Sequence, residues 1–558
     1  MAEVVTRRQV MAAAAGVLAA AGGAAARADT TDLIAQGYVF EDAAGTGVRA
    51  ADSKGVAGAL VSNGQDVVLS DADGRWQLPV RDGDSLFVIK PSGWALPLDK
   101  ATGIPRFAYV HAPNGSPAEI GYRFQPLAPT GALPANIDFP LRRQAEPTTF
   151  DAVLFTDPQP ESLAEVGFVR DDVVAQVVGT PAAFGLTTGD LMFDDLSYYD
   201  RYNRILGTIG LPWYSVPGNH DINYEAPDDV FSRETFKRVF GARDYAFQYG
   251  GATFLMLDNV EYRGTDPAKP NAAGPYRGFF RDRQLAFVRN VLAQVPTTAL
   301  VVVCFHIPLR TTVGRDPSFA AENAASLLAA ISTHPNSISF AGHTHTNEHH
   351  HLVAADGFAG GSHHHHVLAA VSGSWWSGPF DERGIPVALQ SDGCPNGFHI
   401  LSVAEGRAST RFVPARDPNG GQIRLVLDSQ VHRNALEVIQ DYPPGALLTG
   451  PVEAAALRAT RLVANFFDAG PNSVLEVAFG AGAAFRPMAR TPRTDPFVED
   501  VYQRNAATKK PWVQPVASTH LWQASLPADL PRGTHRVAVR GTDEFGRAHA
   551  AAMVLEVV

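Results

Sequence analysis

Seven side chains of metal-ligating type punctuate the middle of this chain. They are Asp157 and Gln159 in LFTDPQ, Asp190 in TTGDLMFDD, Asn219 in VPGNHD, His306 in VVVCFHIP, and His343 and His345 in AGHTH. Carboxylate, amide and imidazole donors gathered in this way suit divalent cations of the first transition row or harder. Taken singly each is ordinary, since an Asp after a strand usually caps a helix and a Gly-Asn usually makes a turn. GNHD and GHTH together, in that order, point instead to a metal centre. Within GNHD, His220 has the chemistry of a general acid, and Asp221 that of a carboxylate that orients its ring.

These residues need elements that bring them together. From Phe150 onward, short apolar runs are each followed by a polar turn and a helix-length amphipathic stretch. The expected strands are 151–156, 185–188, 213–216, 252–258, 299–306 and 337–341. Such alternation predicts a layered α/β domain. In open α/β sheets ligands bind beyond the carboxyl ends of the strands, where every one of the seven residues would fall.

The flanks differ. Residues 36–125 carry β-type runs at 37–40, 67–70, 76–80 and 86–90, with Asp73-Gly74 as a hairpin turn, and predict an N-terminal all-β domain. The stretch GVAGALVSNGQDVVLSDADGRWQLPV resembles β-sandwich modules fused to secreted hydrolases, and Pro134 to Pro147 reads as a linker. After about residue 405 the helical pattern stops, and the runs 423–428, 461–467, 474–479 and 534–539 predict a second β-rich domain. The expected division is 1–28 export signal, 29–145 N-terminal β-domain, 148–405 catalytic domain and 408–558 C-terminal β-domain.

The 558 residues include 46 basic and 57 acidic ones, a formal charge of −11. That balance provides no basic surface for tracking a polyanion, which weighs against nucleic acid as a dedicated partner. Arg7-Arg8 precedes an Ala-rich apolar run that ends in Ala26-Arg27-Ala28. This segment looks like a twin-arginine export signal and predicts a periplasmic or secreted protein without a transmembrane segment. Two cysteines, Cys304 and Cys394, are too few for a disulfide scaffold, although one bridge between them stays open.

Asp157, Gly189-Asp190, Gly218-Asn219-His220-Asp221, His306 and Gly342-His343-Thr344-His345 resemble the calcineurin-like metallophosphoesterase pattern, over roughly residues 148 to 405. LPWYSVPGNHDINYE, SGSWWSGP and GCPNGFHIL are further similar to a bacterial exported subgroup with a β-domain on either side. The resemblance implies an α/β four-layer sandwich, two β-sheets flanked by helices, with an all-β sandwich domain at each end. It also implies two divalent metal ions (Mn, Fe, Zn, Mg or Ca) bridged by Asp190. Asp157, Asp190 and His345 would serve one ion, and Asp190, Asn219, His306 and His343 the other. Gln159 stands where many relatives carry a second His, which predicts weaker binding or a harder ion at the first site. The implied activity is hydrolysis of a phosphoric monoester or diester by metal-activated hydroxide attacking phosphorus in line.

His364, Trp375, Trp376, Arg383 and Asn396 are candidate substrate contacts. The His tracts at 349–351 and 363–366 read as a metal-binding tract, a mobile rim of the active site or a solvated loop. Asp194 and Asp195 read as a cap or as supports for the ligands rather than ligands themselves. A small phosphate ester or an envelope-derived molecule is the expected substrate. The alternative is an envelope- or glycan-binding protein with a vestigial phosphoesterase core. A nuclease shares the core but not the charge.

Overall fold

The computed structural model describes residues 33–266, 273–429 and 450–558. The expected export segment lies outside the described residues. Among the described residues no helix is long and apolar enough to cross a membrane.

The N-terminal domain pairs two four-stranded sheets. In Arg75–Val80 the residues Trp76, Leu78 and Val80 alternate inward with period two, which fixes the buried face of that strand. Residues 134–147 are not simply a linker. Phe139–Arg143 forms a strand beside Leu33–Glu41, because Phe139 and Leu141 point inward and Phe139 packs on Trp76 with ring centroids 5.6 Å apart. Nor does Asp73-Gly74 close a hairpin: the strands it joins, Val67–Leu69 and Arg75–Val80, belong to different sheets.

The central domain has two sheets. The first orders Trp213–Ser215, Phe184–Thr187, Phe150–Phe155, Gly397–Ala404 and Arg407–Pro414. The second orders Tyr245–Tyr249, Ala252–Met256, Val301–Cys304, Ser337–Ala341, His363–Val367 and Glu348–Leu352. Val301–Cys304 runs parallel to both neighbours and is wholly buried, which explains its unbroken apolar sequence. Helices cover the outer faces. Val169, Val173, Tyr199 and Tyr202 pack on the first sheet's Val153 and Phe155, whereas Phe287, Val288 and Leu327 join the core of the second. This is the expected α/β metallophosphoesterase core between two β-domains.

The first sheet extends past the expected boundary at 405, since Arg407–Pro414 folds back on Gly397–Ala404. Glu405 and Gly406, at φ 52° and 71°, make the tight turn that a right-handed strand twist favours. The C-terminal domain again has two four-stranded sheets around Leu462, Phe466, Val477, Trp522 and Val539. It is not purely β: Pro496–Arg504 is a helix, started by Asp495 accepting from the Phe497 N–H and by proline in the first turn. Cys304 and Cys394 are both buried and unbridged.

Candidate metal centre

Seven side chains meet at the carboxyl ends of the parallel strands. Asp157 and Gln159 follow Phe150–Phe155, Asp190 follows Phe184–Thr187 and Asn219 follows Trp213–Ser215. From the second sheet, His306 follows Val301–Cys304, and His343 and His345 follow Ser337–Ala341. His306 Nε2 lies 3.2 Å from Asp190 Oδ2, 3.0 Å from Asn219 Oδ1 and 3.2 Å from His343 Nδ1. His345 Nε2 lies 3.6 Å from Asp157 Oδ1, and Gln159 Nε2 bridges Asp157 Oδ1 at 3.2 Å and Asp190 Oδ2 at 2.5 Å.

The backbone is bent hard to achieve this. Nine described non-glycine residues have positive φ, and eight are Asp157, Gln159, Asp190, Asp194, His343, His345, Trp375 and Trp376. Left-handed backbone costs side-chain-bearing residues about 1–3 kcal/mol each, and its concentration here marks a functional locus. Two motif glycines are there for close approach. A Cβ on Gly218 would collide with the Asp190 carboxylate, and one on Gly342 with Thr156 Oγ1 and Asp157 Oδ2.

The donors fit metal ions on three counts. Asp190, His306 and His343 each offer a ligand atom, all within 4.8 Å of one another. Gln159 Oε1 and His345 Nε2 are buried without hydrogen-bond partners, and each is a lone-pair donor of the type a cation takes up. The carboxylates also draw positive charge: burial alone would depress His306, yet Asp190 and Asp157 hold it up at about 9. Turning the Gln159 amide by 180° presents its oxygen where its nitrogen now bridges the two carboxylates. His345 is fixed from behind, its Nδ1 bonded to the Gly373 carbonyl and its ring stacked on Trp375 at 3.6 Å. The set therefore fits two divalent ions, with Asp190 between the two groups of donors.

His220 sits beside this cluster, its N–H donating to Asp190 Oδ1 at 2.8 Å. Its ring is not oriented by Asp221. Asp221 faces inward, accepting from the N–H groups of Gly218, Leu191 and Met192 and from the Tyr199 hydroxyl. Burial, reinforced by Asp190, raises the Asp221 carboxyl to about 6. The carboxylate on the His220 ring is Asp194, whose Oδ1 lies 2.5 Å from Nδ1 and also takes the Tyr224 hydroxyl. Asp195 caps the following turn through the Ser197 N–H.

The candidate substrate contacts divide. Trp375 backs His345, and Trp376 donates its indole N–H to the Pro158 carbonyl, 2.8 Å away, so it braces the Asp157 loop. Arg383 pairs with Asp172 and Asp381, and Asn396 donates to Asp172 and the Val371 carbonyl, so both are engaged in the frame. His364 is no rim residue. The His tracts are two antiparallel strands, Glu348–Leu352 and His363–Val367, largely buried at the sheet edge, and His364 bonds His349 at 2.9 Å. A row of four histidines forms a strand here because Ser337, Ser339, Thr410 and neighbouring imidazoles satisfy their ring nitrogens.

Two aromatic residues that sequence reading passed over complete the surroundings. Phe193 stacks on the His220 ring at 4.4 Å, and Trp512 of the C-terminal domain stacks on Phe193 at 6.2 Å. Nothing local flags Trp512, which lies about 290 residues beyond His220.

A two-sheet α/β core with a buried Asp, His and amide cluster at its strand ends defines a metal-dependent phosphoesterase. Three family descriptions match in chain order: the N terminal of calcineurin-like phosphoesterase over residues 43–127, calcineurin-like phosphoesterase over 155–347, and the C terminal of calcineurin-like phosphoesterase over 365–549. The chain belongs to the calcineurin-like phosphoesterase family. No curated protein matches it. Among solved structures it is similar to a purple acid phosphatase isolated from yellow lupin (Lupinus luteus) seeds, 12% identical with a TM-score of 0.35, over 65% of this chain and 68% of that one.

Proposed function

We propose that this protein is an exported phosphoesterase acting on a phosphodiester or pyrophosphate-linked substrate, with Asp157, Gln159, Asp190, Asn219, His306, His343 and His345 as its metal ligands. The observation that carries the reading is the convergence of these seven side chains at the carboxyl ends of the two sheets, five of them (Asp157, Gln159, Asp190, His343 and His345) on left-handed backbone. These side chains would hold two divalent cations, which when bound would supply charge to the phosphoryl oxygens and acidify the attacking water. His220 holds the proton for the leaving oxygen on Nε2, because Asp194 occupies Nδ1 and fixes the ring. Phe193 and Trp512 provide a flat apolar wall for the leaving group.

A diester is favoured over a monoester on charge. A terminal phosphoryl dianion calls for cations around it, and Arg383 is committed to Asp172 and Asp381. Lys510, 5.5 Å from the Phe193 ring, already pairs with Glu161 and Glu165. Arg7-Arg8 and the apolar run after them support export, which would place the mature enzyme in the periplasm or outside the cell.

The test is elemental analysis of the purified protein together with hydrolysis of p-nitrophenyl phosphate and bis-p-nitrophenyl phosphate before and after chelation. Chelator-sensitive turnover with the diester preferred is the expected result. A faster monoester reaction overturns the substrate class, and failure to retain metal overturns the ligand assignment.

A further inference from the structure

His343 and His345 leave the same loop but are held from different directions. His343 is anchored on the core: its backbone N–H donates to the Asp157 carboxylate at 2.9 Å, and its Nε2 donates to the Ser318 carbonyl at 2.6 Å. His345 is held by the segment 368–396, which carries no strand or helix of its own. Its carbonyl accepts from the Ser391 N–H at 3.1 Å, its Nδ1 donates to the Gly373 carbonyl, and its ring lies on Trp375 with centroids 3.6 Å apart.

An irregular buried segment keeps its shape only through partners for its backbone, and here the C-terminal domain provides them. The Val516 N–H donates to the Ser391 carbonyl at 2.9 Å, the Tyr502 hydroxyl to the Leu389 carbonyl at 2.8 Å, and Arg424 to the Gly393 carbonyl at 2.5 Å. Val498, Val501, Tyr502 and Val513 form the apolar cluster on which Trp375 packs. Both the backbone and the ring that touch His345 are thus backed by the C-terminal domain.

Asp392 joins the two sides of this clamp. Its Oδ2 accepts from the N–H of Asn347, two residues beyond His345, at 2.6 Å and lies 2.9 Å from His520 Nε2. Its Oδ1 accepts from the Cys394 N–H at 3.0 Å. His520 is fixed in turn by Asn465 Oδ1, 2.7 Å from its Nδ1, and the Asn347 amide donates to the Phe467 carbonyl at 2.9 Å. Asp392, Asn347 and His520 are at most 1% exposed. Water does not compete for these bonds, and removing one partner leaves another buried polar group unsatisfied.

We propose that Asp392, with His520 and Tyr502 of the C-terminal domain, positions His345, so that the C-terminal domain sets how tightly the ion at Asp157, Gln159 and His345 is held. The inference rests on the ligand assignment proposed above. Groups that fix a ligating imidazole from behind are worth about 10–100-fold in metal affinity. The ion at Asn219, His306 and His343 is spared, because His343 is anchored on the core side.

The test is competition of the full chain with a chromophoric chelator, which reads the affinity of each ion, in the natural protein and in His520→Phe. The phenylalanine fills the place of the imidazole and removes its bond to Asp392. Expected is about tenfold weaker binding of one ion with the other unchanged, and recovery when Gln159→His, which adds an imidazole to that ion, is placed in the same chain. Both ions held as in the natural protein, both weakened alike, or a weakened ion that Gln159→His does not restore overturns the positioning role and leaves the phosphoesterase reading standing. A natural protein that binds no metal overturns that reading, and the positioning role with it. If His520→Phe does not accumulate in soluble form, Tyr502→Phe, which lacks a single hydroxyl, takes its place. Weaker binding of one ion there supports the proposal, and unchanged binding of both overturns it.

Discussion

His220 is held by a residue 26 positions before it and not by its neighbour: Nδ1 lies 2.5 Å from Asp194 Oδ1, while Asp221 turns its carboxylate into the backbone of the Asp190 loop. The residue next to the candidate acid therefore builds the loop, and the residue that tunes the acid comes from the preceding strand end.

That arrangement separates two substitutions. His220→Ala should retain metal but lower turnover by about 10²-fold or more for alkyl esters, with a smaller loss for p-nitrophenyl esters, whose leaving group needs no proton. Asp194→Asn should show the same leaving-group dependence at about tenfold. Steady-state rates across a series of leaving groups check both, and equal losses for all leaving groups would falsify the general-acid role.

Asp221→Ala should act on folding instead. It strands the Gly218, Leu191 and Met192 N–H groups and the Tyr199 hydroxyl. The expected loss is about 2–4 kcal/mol in urea unfolding, since buried donors left unpaired cost about 1–3 kcal/mol each and partly relax.

Metal affinity should respond at two positions in opposite directions. Gln159→His replaces an amide oxygen by an imidazole and should tighten the first ion by about tenfold or more, read by competition with a chromophoric chelator. Asp190→Asn removes the carboxylate between the two donor groups and should cost both ions in elemental analysis.

Trp512→Ala tests the reach of the C-terminal domain. Loss of the flat surface beside Phe193 should raise KM for an aryl diester by about fivefold while leaving kcat nearly unchanged. A fall in kcat with KM constant would assign Trp512 to positioning His220 through the Phe193 stack.

Acid stability should depend on Asp229, whose two oxygens lie 2.7 and 2.8 Å from the Arg281 guanidinium. Burial pushes its carboxyl up, but Arg243 and Arg281 outweigh this and hold it below the ordinary range. A depressed folded value adds stability above the unfolded value of about 3.9, and that stability is lost as the pH falls further. Asp229→Asn should thus be less stable than the natural chain by about 3 kcal/mol at pH 7, with the gap narrowing below about pH 4 in thermal melts.

Much of the core and its cluster was legible because the signals are local. Val301–Cys304 announces a doubly buried strand by composition, and GNHD and GHTH carry glycines whose absent Cβ atoms admit Asp190 and Asp157. The strand boundaries shift by a residue or two, and the sheet edge at Arg407–Pro414 was missed because an antiparallel hairpin looks the same whichever domain it joins. The His tracts misled for a related reason. A run of polar rings reads as solvated until the serines, threonines and carboxylates that satisfy it are known, and these come from distant segments.

By itself the sequence determined the α/β class, the metal-ligating residue types and their order, because hydrophobic periodicity and motif chemistry are short-range properties. Only the tertiary structure decided that Asp194 serves His220, that Arg383 is spent on Asp172, that Trp512 reaches the site and that His520 meets Asp392. Each of those pairings joins residues far apart in the chain, and what selects among the many possible partners is the packing of layers and domains, which no local pattern records.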